Sequence, residues 1–244
     1  MKVEKRSIDF IPESERHGRP RSLFFVWFGA NANITTVAAG VLPISLGLNL
    51  FWSALSILIG SLIGAIFMAS HSAQGPRLGI PQMIQSRAQF GVFGAIVPLL
   101  FVMLIYLGFF VSNTLLAAQA VSDLSPLSPL AQGDFLQFFL NFIFFMSYFL
   151  IPWTAINLVD YYALRKGVYR ITDIFDPAGI YGRVNWTAIA VFLCTIALEI
   201  PFMNTSMYVG PVATSLQGVD LAWALACCAL RALITPSCAG AVRC

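Results

Sequence analysis

Asn31, Asn33, Thr35 and Thr36 place two amides and two hydroxyls inside the apolar run that begins at Leu23, with Gly40 and Pro43 close behind. In hydrocarbon such groups are costly unless partnered, and Gly and Pro weaken a helical ladder. Two readings are open. Either the helix breaks here and its freed carbonyls and amides hold an ion or a substrate, or small residues and Asn side chains let neighbouring helices pack and bond. A second pair, Phe109 and Asn113, lies four residues apart and shares a helix face. A ring beside an amide suits a flat heterocycle, which stacks on one and hydrogen-bonds to the other. The same pairing also serves core packing in a Phe-rich helix.

Other chemistry-bearing residues are few. Glu199 is the one acid well inside an apolar run, which makes it a functional candidate; it also stands two residues before Pro201, where it could snorkel to water. Asp160 lies at the edge of another run, placed to pair with Arg165 or Lys166 as an anchor. His17 and His71 fall outside the apolar runs. No phosphate-cradling glycine loop, metal-spaced cluster or nucleophile motif is present, so the expectation is a non-enzyme without metal or catalytic residues. Cys194 stands alone, and Cys227, Cys228, Cys238 and Cys244 crowd the C-terminal end at spacings that match no zinc or redox pattern.

The elements that carry these residues belong in lipid. Hydrophobic residues make up 58% of the 244 and charged residues only 10%, against about 25% in soluble chains, so a water-soluble core could not bury the apolar surface. Six segments are long enough to cross a bilayer: 24–46, 50–70, 92–120, 135–160, 185–203 and 219–236. Residues 70–90 read as a turn-rich polar loop, and no cleavable signal peptide precedes Leu23. Of 14 Lys and Arg, six lie in the N-terminal tail, two after the second segment, four between Arg165 and Arg183, and two (Arg231 and Arg243) at the C-terminal end. The three alternate loops hold none, which predicts a multi-pass protein with both termini in the cytoplasm. Acids interleave the basic N-terminal tail, so nucleic acid is not an expected partner; the lipid bilayer is.

Three blocks resemble the nucleobase–cation symporter-1 family of purine, cytosine and allantoin permeases. Trp27-Phe28-Gly29-Ala30-Asn31-Ala32-Asn33 resembles the family's first helix, and Arg87-Ala88-Gln89-Phe90-Gly91-Val92-Phe93-Gly94 its lead-in to the third. The most specific is Pro152-Trp153-Thr154-Ala155-Ile156-Asn157-Leu158-Val159-Asp160-Tyr161-Tyr162, with Tyr181, Gly182, Asn185 and Trp186 after it, similar to the family's tenth helix and the segment beyond it.

The resemblance implies an all-α integral membrane protein with about six transmembrane helices, a partial version of the five-plus-five inverted-repeat, broken-helix transporter fold. Residues 1–22 are then a cytoplasmic tail and 23–120 the equivalents of helices one to three. Residues 121–134 form an extracytoplasmic loop and junction, 135–223 match helices ten to twelve, and 224–244 make an atypical tail. It further implies cation-coupled symport of a nucleobase at the cell membrane, with no cofactor and Na⁺ or H⁺ as coupling ion. Backbone carbonyls around Ala30 to Ile34 would hold the cation, and Asn31, Asn33, Phe109 and Asn113 the base. The helices between the third and tenth, with the second half of such a site, lack counterparts. The alternative expectation is therefore a truncated, non-transporting relic or assembly subunit, and a homo-oligomer is one way of supplying the missing surface.

Overall fold

A computed structural model describes residues 6, 8–16, 18–123 and 135–226. Every element among them is helical, apart from one isolated bridge between Asn204 and Val209. In chain order the α-helices are α1 (Pro20–Asn31), α2 (Ile34–Ser45), α3 (Leu50–Ser72), α4 (Gln74–Leu78), α5 (Gln82–Phe90), α6 (Ile96–Asp123), α7 (Phe135–Leu158), α8 (Ile171–Phe175), α9 (Trp186–Glu199) and α10 (Pro211–Ser215). Three stretches are long and apolar enough to cross a membrane: Leu50–Leu78, Ile96–Ala120 and Phe135–Leu164. The bent pair α1 and α2 makes a fourth if counted as one span.

The fifth expected segment is the shorter helix Trp186–Phe202, whose end tightens into a 3₁₀ turn at Ile200–Phe202 around Pro201. Of the sixth, residues 222–226 are helical. Residues 227–236, the part of the expected loop and junction 121–134 that follows Asp123, His17, the four C-terminal cysteines, Arg231 and Arg243 lie outside the described residues, while 121–123 continue α6.

The chain divides into two compact units, 1–79 with 110–136, and 80–109 with 137–244. Helix α6 contributes its first part, through Phe109, to the second unit and its remainder to the first.

In the first unit none of the residues of α1 is buried, and Leu23 to Phe28 all stand exposed. A helix apolar on every side needs an apolar solvent, which is how lipid-facing helices are built. The polar segment before α1 is strapped to the turn after α4. The Arg16 guanidinium donates to the carbonyls of Ile11 (2.9 Å) and Pro76 (2.8 Å) and covers the Phe10 ring, while the Ile11 amide donates to Gly79. Gly79 ends α4 in the left-handed region, the common helix stop.

The second unit centres on Phe90, Trp153, Ile156, Ile189 and Phe192. Beside this core lies a polar clasp. At the end of α7 the backbone widens into a π-type turn over Val159–Leu164, without a break. There Asp160 pairs with Arg165 Nε at 2.9 Å and accepts from Gln89 Nε2 at 2.8 Å and the Tyr169 hydroxyl at 2.6 Å. Arg165 also lies over the Tyr181 ring at 4.7 Å. Burial first, and then the Asp160 carboxylate, push the Tyr169 phenol above its usual range, so it stays a donor. Of the two expected partners of Asp160, the structure selects Arg165.

Residues 70–90 differ from the expected loop. They fold into α4 and α5, and Gln85, Ser86, Ala88, Gln89 and Phe90 are buried. Their polar atoms find partners on distant segments: Trp153 Nε1 donates to Ser86 Oγ at 3.0 Å, and Asn185 Nδ2 to the Gln89 carbonyl at 2.8 Å. The third span starts at Ile96 rather than 92, because residues 91–95 turn against the 182–184 backbone instead of coiling. Val92 and Phe93 amides donate to the Gly182 and Arg183 carbonyls. Gly91, at φ 84°, leaves no room for a side chain; a Cβ would lie 2.8 Å from the Arg183 carbonyl oxygen.

Two expected outcomes test this unit. Asp160→Asn leaves Arg165 without its counter-charge in a largely buried clasp and lowers unfolding stability by about 3 kcal/mol. Gly91→Ala lowers it by about 1–3 kcal/mol through backbone strain. Both are read by thermal unfolding of the detergent-solubilised protein.

Candidate substrate site at the break of the first helix

The break between α1 and α2 is written in the Asn33 side chain. Its Oδ1 accepts from the Thr36 amide at 3.0 Å and so caps α2, while its Nδ2 donates to the Ala30 carbonyl at 2.9 Å. One amide closes both ends of the interruption. Ala32 has left helical geometry (φ −78°, ψ 65°), and the two helices meet at 64°. Asn33 N turns back to the Asn31 carbonyl. As a result the amides that would reach the carbonyls of Gly29 and Ala32 in a continuous helix, those of Asn33 and Thr36, point elsewhere. Two oxygens without a helical donor are what a cation or a base N–H needs.

Asn31 Nδ2 donates to the Trp27 carbonyl at 2.8 Å, and no donor reaches its Oδ1 among the described residues. Thr35 is buried and donates to Asn113 Oδ1, which ties the break to α6 within the same unit. That bond leaves both Asn113 Nδ2 hydrogens for another acceptor. Asn31, Asn33 and Asn113 are all exposed. The arrangement thus offers acceptors at Gly29, Ala32 and Asn31 and donors at Asn113, the complement of a heterocycle with mixed donors and acceptors along one edge.

Of the residues singled out from the sequence, Asn31, Asn33 and Asn113 lie in one unit, with Thr35 joining the break to the third. The Ala30 carbonyl is occupied by Asn33, and Ile34 opens α2. Phe109 falls in the second unit, one turn before Asn113 on α6, and meets Phe142 edge-on at 5.1 Å. Gly108 lets the Phe142 ring lie against that face; a Cβ there would collide with it. Thr35 was visible only as one of two hydroxyls in the run, and nothing in its spacing distinguished it from Thr36. Glu199 does not snorkel: it is fully buried, with no partner for either carboxyl oxygen among the described residues.

A family model described as a permease for cytosine/purines, uracil, thiamine and allantoin matches residues 10–133 and 124–226. The chain belongs to this family. YxlA of Bacillus subtilis, whose name assigns it provisionally as a purine-cytosine permease, is 33% identical over 425 aligned positions, which take in 91% of this chain and 93% of that protein. Since the chain has 244 residues, a long stretch of that relative has no counterpart in it. The purine-cytosine permeases FCY2 and FCY22 of Saccharomyces cerevisiae are 37% identical over 50% of the chain and 34% identical over 36% of it. The chain covers 23% and 17% of those yeast proteins. No solved structure matches. Family and apolar helices together make this a membrane protein of permease type.

If the break is built as described, Asn33→Ala removes the cap and lowers stability by about 1 kcal/mol. Thr35→Val strips Asn113 of its donor and costs about 0.5–1.5 kcal/mol. The double variant Thr35→Val with Asn113→Ala costs less than the sum of the singles, measured by thermal unfolding in detergent.

Proposed function

We propose that this protein binds a nucleobase of the cytosine or purine type at the first-helix break and takes it up with a cation, Na⁺ or H⁺, across the cell membrane. The observation that carries the reading is the interrupted helix with Asn33 at its hinge and Thr35 bonded to Asn113, in a chain of this family. The Gly29 and Ala32 carbonyls serve the cation together with those first expected around Ala30 to Ile34. Asn31 and Asn113 read the base edge; Phe109, first expected as the stacking ring, falls in the second unit and is not counted in this site. The one-sided distribution of Lys and Arg supports six spans with both termini in the cytoplasm, equivalent to helices one to three and ten to twelve of the family. The two matched segments, meeting within residues 124–133, support a junction there.

One observation favours a second reading. The long stretch of YxlA without counterpart leaves few ligands to replace a cation's hydration shell and no second repeat for alternating access. On that reading the protein is a non-transporting member of the family that assembles with a second copy or a full-length relative.

Uptake of radiolabelled cytosine and hypoxanthine into cells lacking their own permeases separates the two. The transporter reading predicts uptake above background that falls at least about tenfold, equivalent to roughly 1.4 kcal/mol of lost interaction, in Asn113→Ala. No uptake from protein shown to reach the membrane supports the second.

A further inference from the structure

The segment that joins the end of α7 to α9 folds into a compact lobe of the second unit. Tyr161, Tyr169 and Tyr181 stack in series, with ring centres 5.8 and 6.4 Å apart, and the Arg170 amide donates to the Tyr181 hydroxyl at 3.1 Å. The turns at 165–170 and 179–183 therefore lie side by side. Both are tied to the rest of the unit. The Gly167 amide donates to the Tyr161 carbonyl, and the Arg183 carbonyl accepts from the Phe93 and Gly94 amides.

The charges of this lobe do not balance. From Tyr162 to Trp186 the sequence holds Arg165, Lys166, Arg170 and Arg183 against Asp173 and Asp176. Arg165 is taken by Asp160 in the clasp. Asp173 is largely covered and accepts from the Ile180 amide at 3.3 Å; it lies 3.7 Å from Arg170, whose side chain stays 69% exposed. Asp176 is exposed and closes its own turn onto the Ala178 amide at 2.8 Å. Lys166 and Arg183 are exposed too, and Arg87 adds a further positive charge over the Phe175 ring of α8. The undescribed end of this unit, 227–244, brings two more arginines and no acid, so it cannot neutralise the excess.

Between its cations the same surface is apolar. Val168, flanked by Lys166 and Arg170, is 76% exposed, and on either side of Arg183 stand Ile180 and Trp186, the latter 73% exposed. Large apolar side chains at the tips of turns gain nothing from water, and Trp is favoured where a membrane meets it. Lys166 holds left-handed backbone at φ 51°, just ahead of Gly167 at 78°. A residue with a side chain is uncommon there, and the chain keeps a lysine at the position all the same.

Cations that alternate with apolar tips fit one partner. Anionic head groups offer phosphate to ammonium and guanidinium groups, and the acyl boundary beneath them takes up apolar side chains. A soluble phosphate satisfies only the first demand, and a neutral lipid only the second.

We propose that the lobe 162–186 is a docking surface for anionic phospholipid, with Lys166, Arg170 and Arg183 on the phosphates and Val168, Ile180 and Trp186 in the acyl boundary. The inference rests on the membrane character of the chain and not on the nucleobase reading. Arg165 lies over Tyr181 and pairs with Asp160, so lipid bound to the lobe also steadies the clasp at the end of α7.

Thermal unfolding of the full chain tests this, with the protein delipidated in maltoside and titrated with mixed micelles of phosphatidylglycerol or phosphatidylcholine. Phosphatidylglycerol should raise the unfolding temperature and phosphatidylcholine should not, because a ligand stabilises only the fold that binds it. Lys166→Gln, Arg170→Gln and Arg183→Gln, singly and together, should unfold like wild type without lipid. Each should raise the phosphatidylglycerol concentration needed for the same shift about fivefold. Arg19→Gln, Arg21→Gln and Arg77→Gln combined remove the same charge from the first unit and should leave the response intact. Glycerol 3-phosphate should not reproduce it. Equal responses to the two lipids, an intact response in the Lys166, Arg170 and Arg183 variants, its loss in the first-unit variant, or stabilisation by glycerol 3-phosphate would each overturn the proposal. The wild-type comparison and the single substitutions decide the matter even where the triple variant is unstable.

Discussion

Inside hydrocarbon there is no water to satisfy a backbone amide or carbonyl, and every departure from a continuous helix in this protein is shaped by that constraint. The first span departs most. A 64° bend between α1 and α2 would strand donors and acceptors on both sides, yet one Asn33 side chain accepts from the new helix and donates to the old. What is left over, the carbonyls of Gly29 and Ala32, is left at a single place. Such a break, made at the smallest cost in unsatisfied groups, is where the proposed site is placed.

The same rule governs the polar clasp at the end of α7. The run from Pro152 to Tyr162, which carried most of the family resemblance, is engaged with other segments of its own unit. Trp153 docks on Ser86, and Asp160 gathers Arg165, Gln89 and Tyr169. Each member is held against the others, so replacing one leaves a buried charge or donor unpaired. A signature can therefore mark an anchor as readily as a binding site.

Much of this was legible in the residues, and the exceptions have a common cause. The break was one of two readings left open, and it was legible at all because Asn, Gly and Pro act locally, on a helix's own backbone. The pairing of Asp160 with Arg165 was legible for the same reason, the two being five apart. Helix α5 was not: Gln82, Gln85, Ser86 and Gln89 look like a solvated loop until partners 67 to 96 residues away are known. The fate of Glu199 was hidden too, since an acid two residues before a proline ends many spans at the water's edge. Its burial is a feature of tertiary packing, which no local pattern announces.

The separation of α5 from its partners sets an order of events during synthesis. When Gln82–Phe90 leaves the ribosome, Asp160, Trp153 and Asn185 have not yet been translated. The segment must therefore wait at the membrane surface, hydrated, until about a hundred more residues have been made. Its modest length and polar sequence suit it to that interval: it neither inserts as a span nor exposes a long sticky face. Docking becomes available only after α7 has been threaded through the bilayer and Asn185 has emerged. The closing of α5 onto the end of α7 and Asn185 is then a late step, and a chain stalled before residue 185 would present an open, unlatched α5 to the cell's quality control.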